Sequence, residues 1–246
     1  MFDIESLAFS DPWLFALMAA LIAGSAFMQG IGGVGFTMFA APVAAILVPE
    51  LVPGPLLMLG GCVTFLTAAR EYRSIAWEAA GSALAGRAVG TIVAVLTLAQ
   101  LTQRPLNFLF AAMILLAVAL SVAGLRISAT RTNVGIAGVL SGVMGTLTSV
   151  GAPPLVLALQ RSSPATLRAT TGAILFFGST LSLLVLAVAG HYGPREFLIG
   201  ATLVPFMLLG FWLSGRLRQK VSAVMLRRGL LLFCALSAIG LIVKTL

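Results

Sequence analysis

Arg87 is the residue of this sequence whose position most clearly suggests chemistry. It lies midway along the apolar stretch 77–99, and no carboxylate lies within any apolar stretch that could pair with it. A charge at the centre of a bilayer costs at least about 2.5 kcal/mol, so Arg87 should face the protein interior or a cavity. The functional interpretation is that Arg87 attracts an anionic substrate. The alternative is an arginine satisfied by helix-end carbonyls or by snorkelling.

Two glycine-rich stretches interrupt apolar segments at corresponding places in the two halves of the chain: 29–35 (QGIGGVG) and 145–154 (GTLTSVGAPP). Glycine inside a helix costs about 1 kcal/mol relative to alanine, so these clusters indicate broken helices. A break within a bilayer is tolerated where protein buries it or where it lines a cavity, and paired breaks point to a transporter's binding site. Broken helices also expose N–H groups and a positive dipole end, which bind anions.

We therefore predict that the two breaks and Arg87 form a site for a small anion near the membrane midplane. Hydroxyl and amide side chains in the breaks add hydrogen-bonding groups. The candidate substrate-binding residues are Gln29, Gly30, Gly32, Gly33, Arg87, Gly145, Thr146, Thr148, Ser149, Gly151 and Pro153. The alternative for glycines is close helix packing. Packing alone is the expectation for Gly24, Gly138, Gly142, Gly172, Gly178 and Gly210.

The composition is that of a polytopic membrane protein. Of the 246 residues 60% are hydrophobic and only 9% are charged, whereas soluble domains carry roughly 25% charge. The net charge of +8 comes from basic residues in short loops, where it sets orientation in the membrane instead of binding nucleic acid. The expected partners are a small anionic substrate, the lipid bilayer and a second copy of the chain in a homodimer.

Nothing in the sequence supports an enzyme. It contains no HExxH, no GxSxG, no paired carboxylates and no Cys/His cluster, so we expect no catalytic residue and no metal site. Cys62 and Cys234 fit small core hydrophobes, and His191 fits a residue at the membrane interface. Because the spans carry no acid or histidine relay, proton coupling would need the substrate itself or an interfacial group such as Glu71 or Glu78.

The apolar stretches suggest two repeats, 1–125 and 133–246, joined by a cytoplasmic linker, 126–132. Each repeat combines a glycine-interrupted segment, either re-entrant or kinked, with three transmembrane helices. The predicted spans, which approach the roughly 20 residues needed to cross a bilayer, are 12–30, 33–48, 53–69, 77–99, 105–125, 133–159, 167–189, 196–215 and 229–243.

Basic residues predict the orientation of the repeats. If each interrupted segment returns to its starting side, most arginines, including Arg126, Arg131, Arg161 and Arg168, face one side, which is then cytoplasmic. If the second break lay in one straight span, Arg126 and Arg131 would lie on the opposite side of the membrane from Arg161 and Arg168. The charge count therefore favours returning segments and an inverted repeat. Two parallel four-span halves are the alternative.

The order of these motifs resembles that of the TauE/SafE family of membrane permeases over nearly the whole chain. The resemblance rests on paired glycine segments, a basic turn and a small-residue helix: Ala23-Gly24, Gly30-Ile31-Gly32-Gly33, Pro42, Arg70 to Trp77, Gly81, Gly86, Gly90, Gly138, Ser141-Gly142, Gly145 and Gly151-Ala152-Pro153. The chain departs from the family pattern at Thr148-Ser149, where another glycine pair is common, and at Arg87.

The resemblance implies a transporter of small sulfur-containing or organic anions, such as sulfite, thiosulfate, a sulfonate or sulfoacetate, in the cytoplasmic (inner) membrane and without a cofactor. We expect alternating access, with one repeat rocking against the other and Pro42, Pro153 and Pro154 at the edges of the breaks. The alternatives are an anion channel and a membrane partner protein that transports nothing. The sequence leaves open which anion is moved, its direction and the coupling ion.

Overall fold

A computed structural model describes residues 11–100, 103–122 and 127–217. The predicted span 229–243, together with Arg126 and Cys234, lies outside the described residues. Within them the regular structure is helical, in nine α-helices with short 3-10 turns at Pro49–Leu51 and Tyr72–Ser74. The α-helices are α1 (Pro12–Gly32), α2 (Phe36–Leu47), α3 (Gly54–Arg70), α4 (Trp77–Gln100), α5 (Gln103–Val122), α6 (Arg131–Thr148), α7 (Ala152–Leu159), α8 (Pro164–Val188) and α9 (Pro194–Leu217).

Four of these helices, α1, α4, α8 and α9, are long and apolar enough to cross a bilayer. Proline at the first turn suits a helix start, because its missing N–H would lack a helical partner there in any case. Pro12 and Pro164 begin α1 and α8, capped by the side chains of Asp11 and Ser163. The prediction of an all-helical, polytopic membrane protein is confirmed.

A helix ends at each of the two predicted interruptions. Each end lies a few residues after the first glycine of its cluster. Helix α1 continues through Gly30 to Gly32 and is capped by Gly33, whose φ of 79° is left-handed; α6 continues to Thr148 and is capped by Ser149, with φ 65°. A left-handed residue with a backbone bond to the preceding turn is a common helix terminator. Pro42, expected at the edge of a break, lies inside α2.

The ends of the two broken segments lie at opposite ends of the molecule. Arg131, which begins α6, pairs with Glu78 at 3.0 Å, and Arg168, after α7, pairs with Glu71. Both glutamates flank the short connection between α3 and α4, so the α6–α7 segment starts and finishes at this end. We call it the basic end.

The α1–α2 segment returns to the other end. Gly33, at the finish of α1, touches the Arg168 side chain at the basic end. Glu50, after α2, instead pairs with Arg195 at 3.0 Å. The 17 residues of α3 separate Glu50 from Glu71, a distance of about 25 Å at 1.5 Å per residue.

The helices pack as two bundles that do not coincide with the two halves of the sequence. In bundle A, α1 packs on α9, and α3 contacts α1, α2 and α9. In bundle B, α4 packs on α6 and α8, and α7 contacts α5, α6 and α8. The bundles meet mainly where α3 packs against α8. The α4–α6 seam brings backbones together because Gly86, Gly90, Gly138 and Gly142 carry no side chain there, as is typical of helix contacts in membranes.

Candidate functional site

A small cavity lies between the two bundles, where both helix breaks approach α3 and α8. Bundle A contributes Gln29, Gly35, Phe36, Thr37, Leu57, Gly60 and Thr64, and bundle B contributes Arg87, Ser149, Ala152, Leu175 and Ser179. Arg87 is the one charged group in this lining. The cavity is therefore positively charged at Arg87, and the rest of its lining consists of hydroxyl, amide, backbone and apolar groups.

The Arg87 side chain is only 1% exposed. Its Nη1 donates a hydrogen bond of 2.6 Å to Ser141 Oγ, and its Nε is buried without a partner. The ion pairs found among the described residues do not include Arg87. A buried arginine with an orphaned donor and no carboxylate has unused capacity to bind an anion.

Three glycines leave the space in which the guanidinium sits. A Cβ atom added at Gly145, Gly151 or Gly178 would lie 2.9, 2.8 and 1.9 Å from Arg87 Nη2, Nη1 and Nε, respectively. The sequence predicts Gly178 to serve packing alone, but it borders the Arg87 side chain. Ser141 also donates to the Gly151 carbonyl at 2.6 Å, so Arg87 is connected to the second break through one hydroxyl.

Gln29 holds the first break in shape. Its Nε2 donates to the Gly33 carbonyl at 2.9 Å, and its Oε1 accepts from the Phe36 N–H at 3.1 Å. The side chain is 2% exposed. Because Phe36 is the first residue of α2, this amide satisfies both the end of α1 and the beginning of α2. Gln29 therefore fixes the first break beside the cavity.

The N-termini of two half-helices face the cavity. Phe36 and Thr37 begin α2, and Ala152 begins α7, and all three line the cavity. The N-terminal end of a helix carries partial positive charge. Pro153 and Pro154 have no N–H, so among the first three residues of α7 only Ala152 can donate from its backbone. Pro153, a candidate site residue, can thus contribute position but no backbone hydrogen bond.

Ser149 and Thr148 shape the second break. Ser149 Oγ donates to the Pro53 carbonyl at 2.9 Å, which joins the tip of this break to the beginning of α3 in the other bundle. Thr148 Oγ1 donates to the Met144 carbonyl and accepts from the Val150 N–H at 3.2 Å. Ser149 lines the cavity, whereas Thr148 bonds only to the backbone around it.

The remaining candidate residues lie beside the cavity or away from it. Thr146 belongs to a buried trio of hydroxyls with Thr91 and Ser182, with oxygen–oxygen distances of 2.8–3.3 Å. Gly30 packs against Ser214, and Gly33 packs against Arg168. Gly32 is exposed. The structure thus brings Gln29, Arg87 and Ser149 together at the cavity, with Gly145 and Gly151 behind the guanidinium.

Sequence reasoning missed several residues of this site, notably Ser141, Thr37, Thr64 and Ser179. Serine and threonine are common in membrane helices, where they often bond to their own backbone, as Thr64 does to the Gly60 carbonyl. Their types alone therefore carry no signal. Ser141 had one available signal, because it lies one helical turn before Gly145 on the same face of α6.

The described residues offer no cluster of three or more His, Cys, Asp or Glu side chains that could hold a metal ion. His191 is exposed in the connection between α8 and α9. At the next residue, burial raises the pKa of the Tyr192 hydroxyl, and the charge of Glu196 raises it further. Neither residue lines the cavity.

A comparison with protein families finds one that covers most of the chain. The family model described as sulfite exporter TauE/SafE matches residues 16–241. No curated protein and no solved structure matches the chain significantly. The matched region contains both helix breaks, Arg87 and every described helix except the first residues of α1. The chain therefore belongs to the TauE/SafE family of sulfite exporters, which are membrane transporters and not enzymes.

Proposed function

We propose that this protein is a secondary transporter of small sulfur-containing anions, such as sulfite, thiosulfate, a sulfonate or sulfoacetate. The observation that carries the proposal is Arg87, a buried arginine that has no carboxylate partner among the described residues and lines a cavity between two helix breaks. An anion in this cavity would satisfy a charge that the surrounding residues leave uncompensated. The protein needs no cofactor for this task.

The hydrogen-bonding groups around the cavity suit an oxyanion. A guanidinium can donate two parallel bonds to two oxygens of one sulfur centre, and such charge-assisted bonds are stronger than neutral ones. The positive ends of α2 and α7 reinforce the attraction. Because Arg87 is the one titratable residue in the lining, the site would bind the anion without exchanging a proton with an acid or base of its own.

Alternating access follows most simply from motion of bundle A against bundle B. The cavity takes its lining from both bundles, whereas the α4–α6 seam is too closely packed to open. This differs from a rocking of sequence halves, since α4 and α6 belong to different halves. The opposite entry of the two broken segments supports an inverted repeat of 1–125 and 133–246 about the linker 126–132.

We further propose that the basic end faces the cytoplasm, in the inner membrane of the cell. The described basic residues support this assignment: Arg70, Arg73, Arg131 and Arg168 lie at the basic end, whereas Arg195, paired with Glu50, lies at the other. Cysteines at positions 131 and 165 should both react with an impermeant thiol reagent from that side alone. A homodimer remains part of the proposal, to be tested by the mass of the purified protein in detergent.

The decisive experiment is sulfite flux into proteoliposomes, with thiosulfate, sulfoacetate and acetate as competitors. Saturable flux that sulfur oxyanions inhibit, and that Arg87→Ala abolishes, is expected. Electrical conductance without saturation would instead indicate an anion channel. Folded protein without flux of any of these anions would overturn the proposal in favour of a non-transporting partner protein, in which the glycine breaks serve packing alone.

A further inference from the structure

A second, smaller cavity lies at the basic end of the interface between the bundles. It is lined by Gly30, Thr67, Arg70, Glu71, Arg168 and Phe211. Two guanidinium groups and one carboxylate give this lining a net charge of +1. It lies next to the first helix break, because the stem of Arg168 packs against Gly33.

In this cavity the Arg168 guanidinium forms a bidentate ion pair with the Glu71 carboxylate. Its Nε donates to Glu71 Oε2 at 3.0 Å, and its Nη2 donates to Glu71 Oε1. The two side chains are only 20% and 21% exposed. This planar, two-bond geometry recognises any pair of oxygens on one central atom. A sulfite or sulfonate group presents such a pair, so Glu71 occupies the place that a substrate anion would take.

The pair also joins the two bundles. Arg168 belongs to α8 of bundle B, and Glu71 follows α3 of bundle A. Its cross-bundle position makes it a contact that must break if the bundles separate at this end. An anion that replaces Glu71 on Arg168 would supply the hydrogen bonds that Arg168 loses and remove this contact between the bundles.

We propose that Arg168 is a second anion-binding residue, which takes a sulfur oxyanion at the basic end after the anion has displaced the Glu71 carboxylate. This proposal rests on the proposed transport function. Arg70 adds positive charge to the same cavity while its guanidinium stacks on the Phe211 ring at 3.8 Å.

The matched pair Glu78–Arg131 provides the control for this proposal. It flanks the same connection between α3 and α4, but the side chains of Glu78 and Arg131 are 75% and 78% exposed, and neither residue lines the cavity. If Glu71 acts as a competing ligand, Glu71→Gln and Glu78→Gln should behave differently. If the acidic residues act only through general surface charge, the two variants should behave alike.

The test compares initial rates of sulfite flux in inside-out and right-side-out membrane vesicles from expressing cells. Labelling of a cysteine at position 131 identifies the preparation that exposes the basic end. Glu71→Gln should lower KM about fivefold for sulfite added at that end, with KM at the other end unchanged. Arg168→Gln should raise KM about tenfold or more at that end only. Glu78→Gln and Arg131→Gln should match the wild type from both sides.

A sulfite-dependent increase in thermal stability, retained in Arg168→Gln, shows that this variant is folded and that its central site binds. Equal effects of Glu71→Gln and Glu78→Gln, or equal KM changes from both sides, would overturn the proposal while wild-type flux remains. Failure of the transport function itself looks different, since the wild type then shows no saturable flux. In that case the assignment of Arg168 fails with it.

Discussion

Replacing Arg87 by methionine separates a substrate-binding arginine from a structural one, because the two roles predict opposite changes in stability. Arg87 is buried, donates one hydrogen bond to Ser141 and leaves its Nε without a partner. A structural arginine would be stabilised by the groups around it. A binding arginine stays uncompensated until the anion arrives, so the empty protein should be more stable without its charge.

The magnitude follows from two opposing terms. One hydrogen bond to a charged group contributes about 1.5–3 kcal/mol, whereas burying an unpaired ion costs several kcal/mol. Exchange of Arg87 for an apolar side chain of similar length should therefore stabilise the empty protein by about 1–2 kcal/mol. For a chain of this size each kcal/mol raises Tm by roughly 2–4 °C.

Sulfite should have the reverse effect on the two proteins. An anion at about 100 times its Kd stabilises the folded wild type by about 2.7 kcal/mol, so its Tm should rise with sulfite concentration. Arg87→Met should lose this response. The assay is thermal unfolding in detergent, with and without sulfite, and with chloride at matched ionic strength. Arg73→Met, which removes an exposed arginine that stacks on Tyr72, should keep the wild-type response.

A lower Tm for Arg87→Met in the absence of anion, together with an intact sulfite response, would refute the reasoning. Arg87 would then stabilise the contact between α4 and α6 through Ser141. The anion would have to bind elsewhere.

Three further substitutions test how the site is built. Ser141→Ala removes the hydroxyl that holds Arg87 and should weaken sulfite binding about tenfold in calorimetry, because a hydrogen bond to a charged group is lost. Gly178→Ala places a Cβ 1.9 Å from Arg87 Nε and should abolish flux, whereas Gly81→Ala, with no atom within 4 Å of the added Cβ, should leave flux unchanged. Gln29→Leu leaves a buried carbonyl and a buried N–H without partners and should lower stability by about 2–4 kcal/mol, measured as a fall in Tm.

Much of the membrane architecture follows from hydropathy and glycine placement alone. The helices and their two breaks can be predicted because a bilayer allows few alternatives to the helix. The exact residue at which each helix ends within its glycine cluster cannot be predicted, because it depends on contacts such as that of Gln29 with Phe36. The backbone bonds that end α1 and α6 lie three or more residues past the first glycine of each cluster.

The candidate site could be predicted in its centre but not in its surroundings. Arg87 can be recognised from the sequence because a charged residue in an apolar stretch is energetically costly. Gly178 and Ser141 are not, because their roles depend on which helices lie beside α4. The sequence also does not indicate that α4 of the first half packs on α6 of the second. Small residues predict a close helix contact but not which helix is the partner. The two-bundle arrangement therefore had to come from tertiary packing.

The two-bundle arrangement makes a prediction about where a cross-link stops transport. If bundle A rocks on bundle B about the middle of the α3–α8 contact, the ends of that contact separate while its middle does not. A Cβ at position 61 would lie 3.5 Å from Ser179 Cβ, near the middle of α3, and a Cβ at position 172 would lie 3.2 Å from Ala68 Cβ, near the basic end. Both separations are close to those of disulfides.

In a protein whose native cysteines are replaced by alanine, oxidation of the pair at positions 68 and 172 should abolish sulfite flux, and reduction should restore it. The pair at positions 61 and 179 should retain most of its flux when oxidised. Each reduced double variant is its own control for the effect of the substitutions. Equal inhibition by both disulfides would mean that α3 and α8 separate along their whole length. Retained flux with both would mean that they move as one body, and the anion would then have to pass through the cavity without any rocking of the bundles.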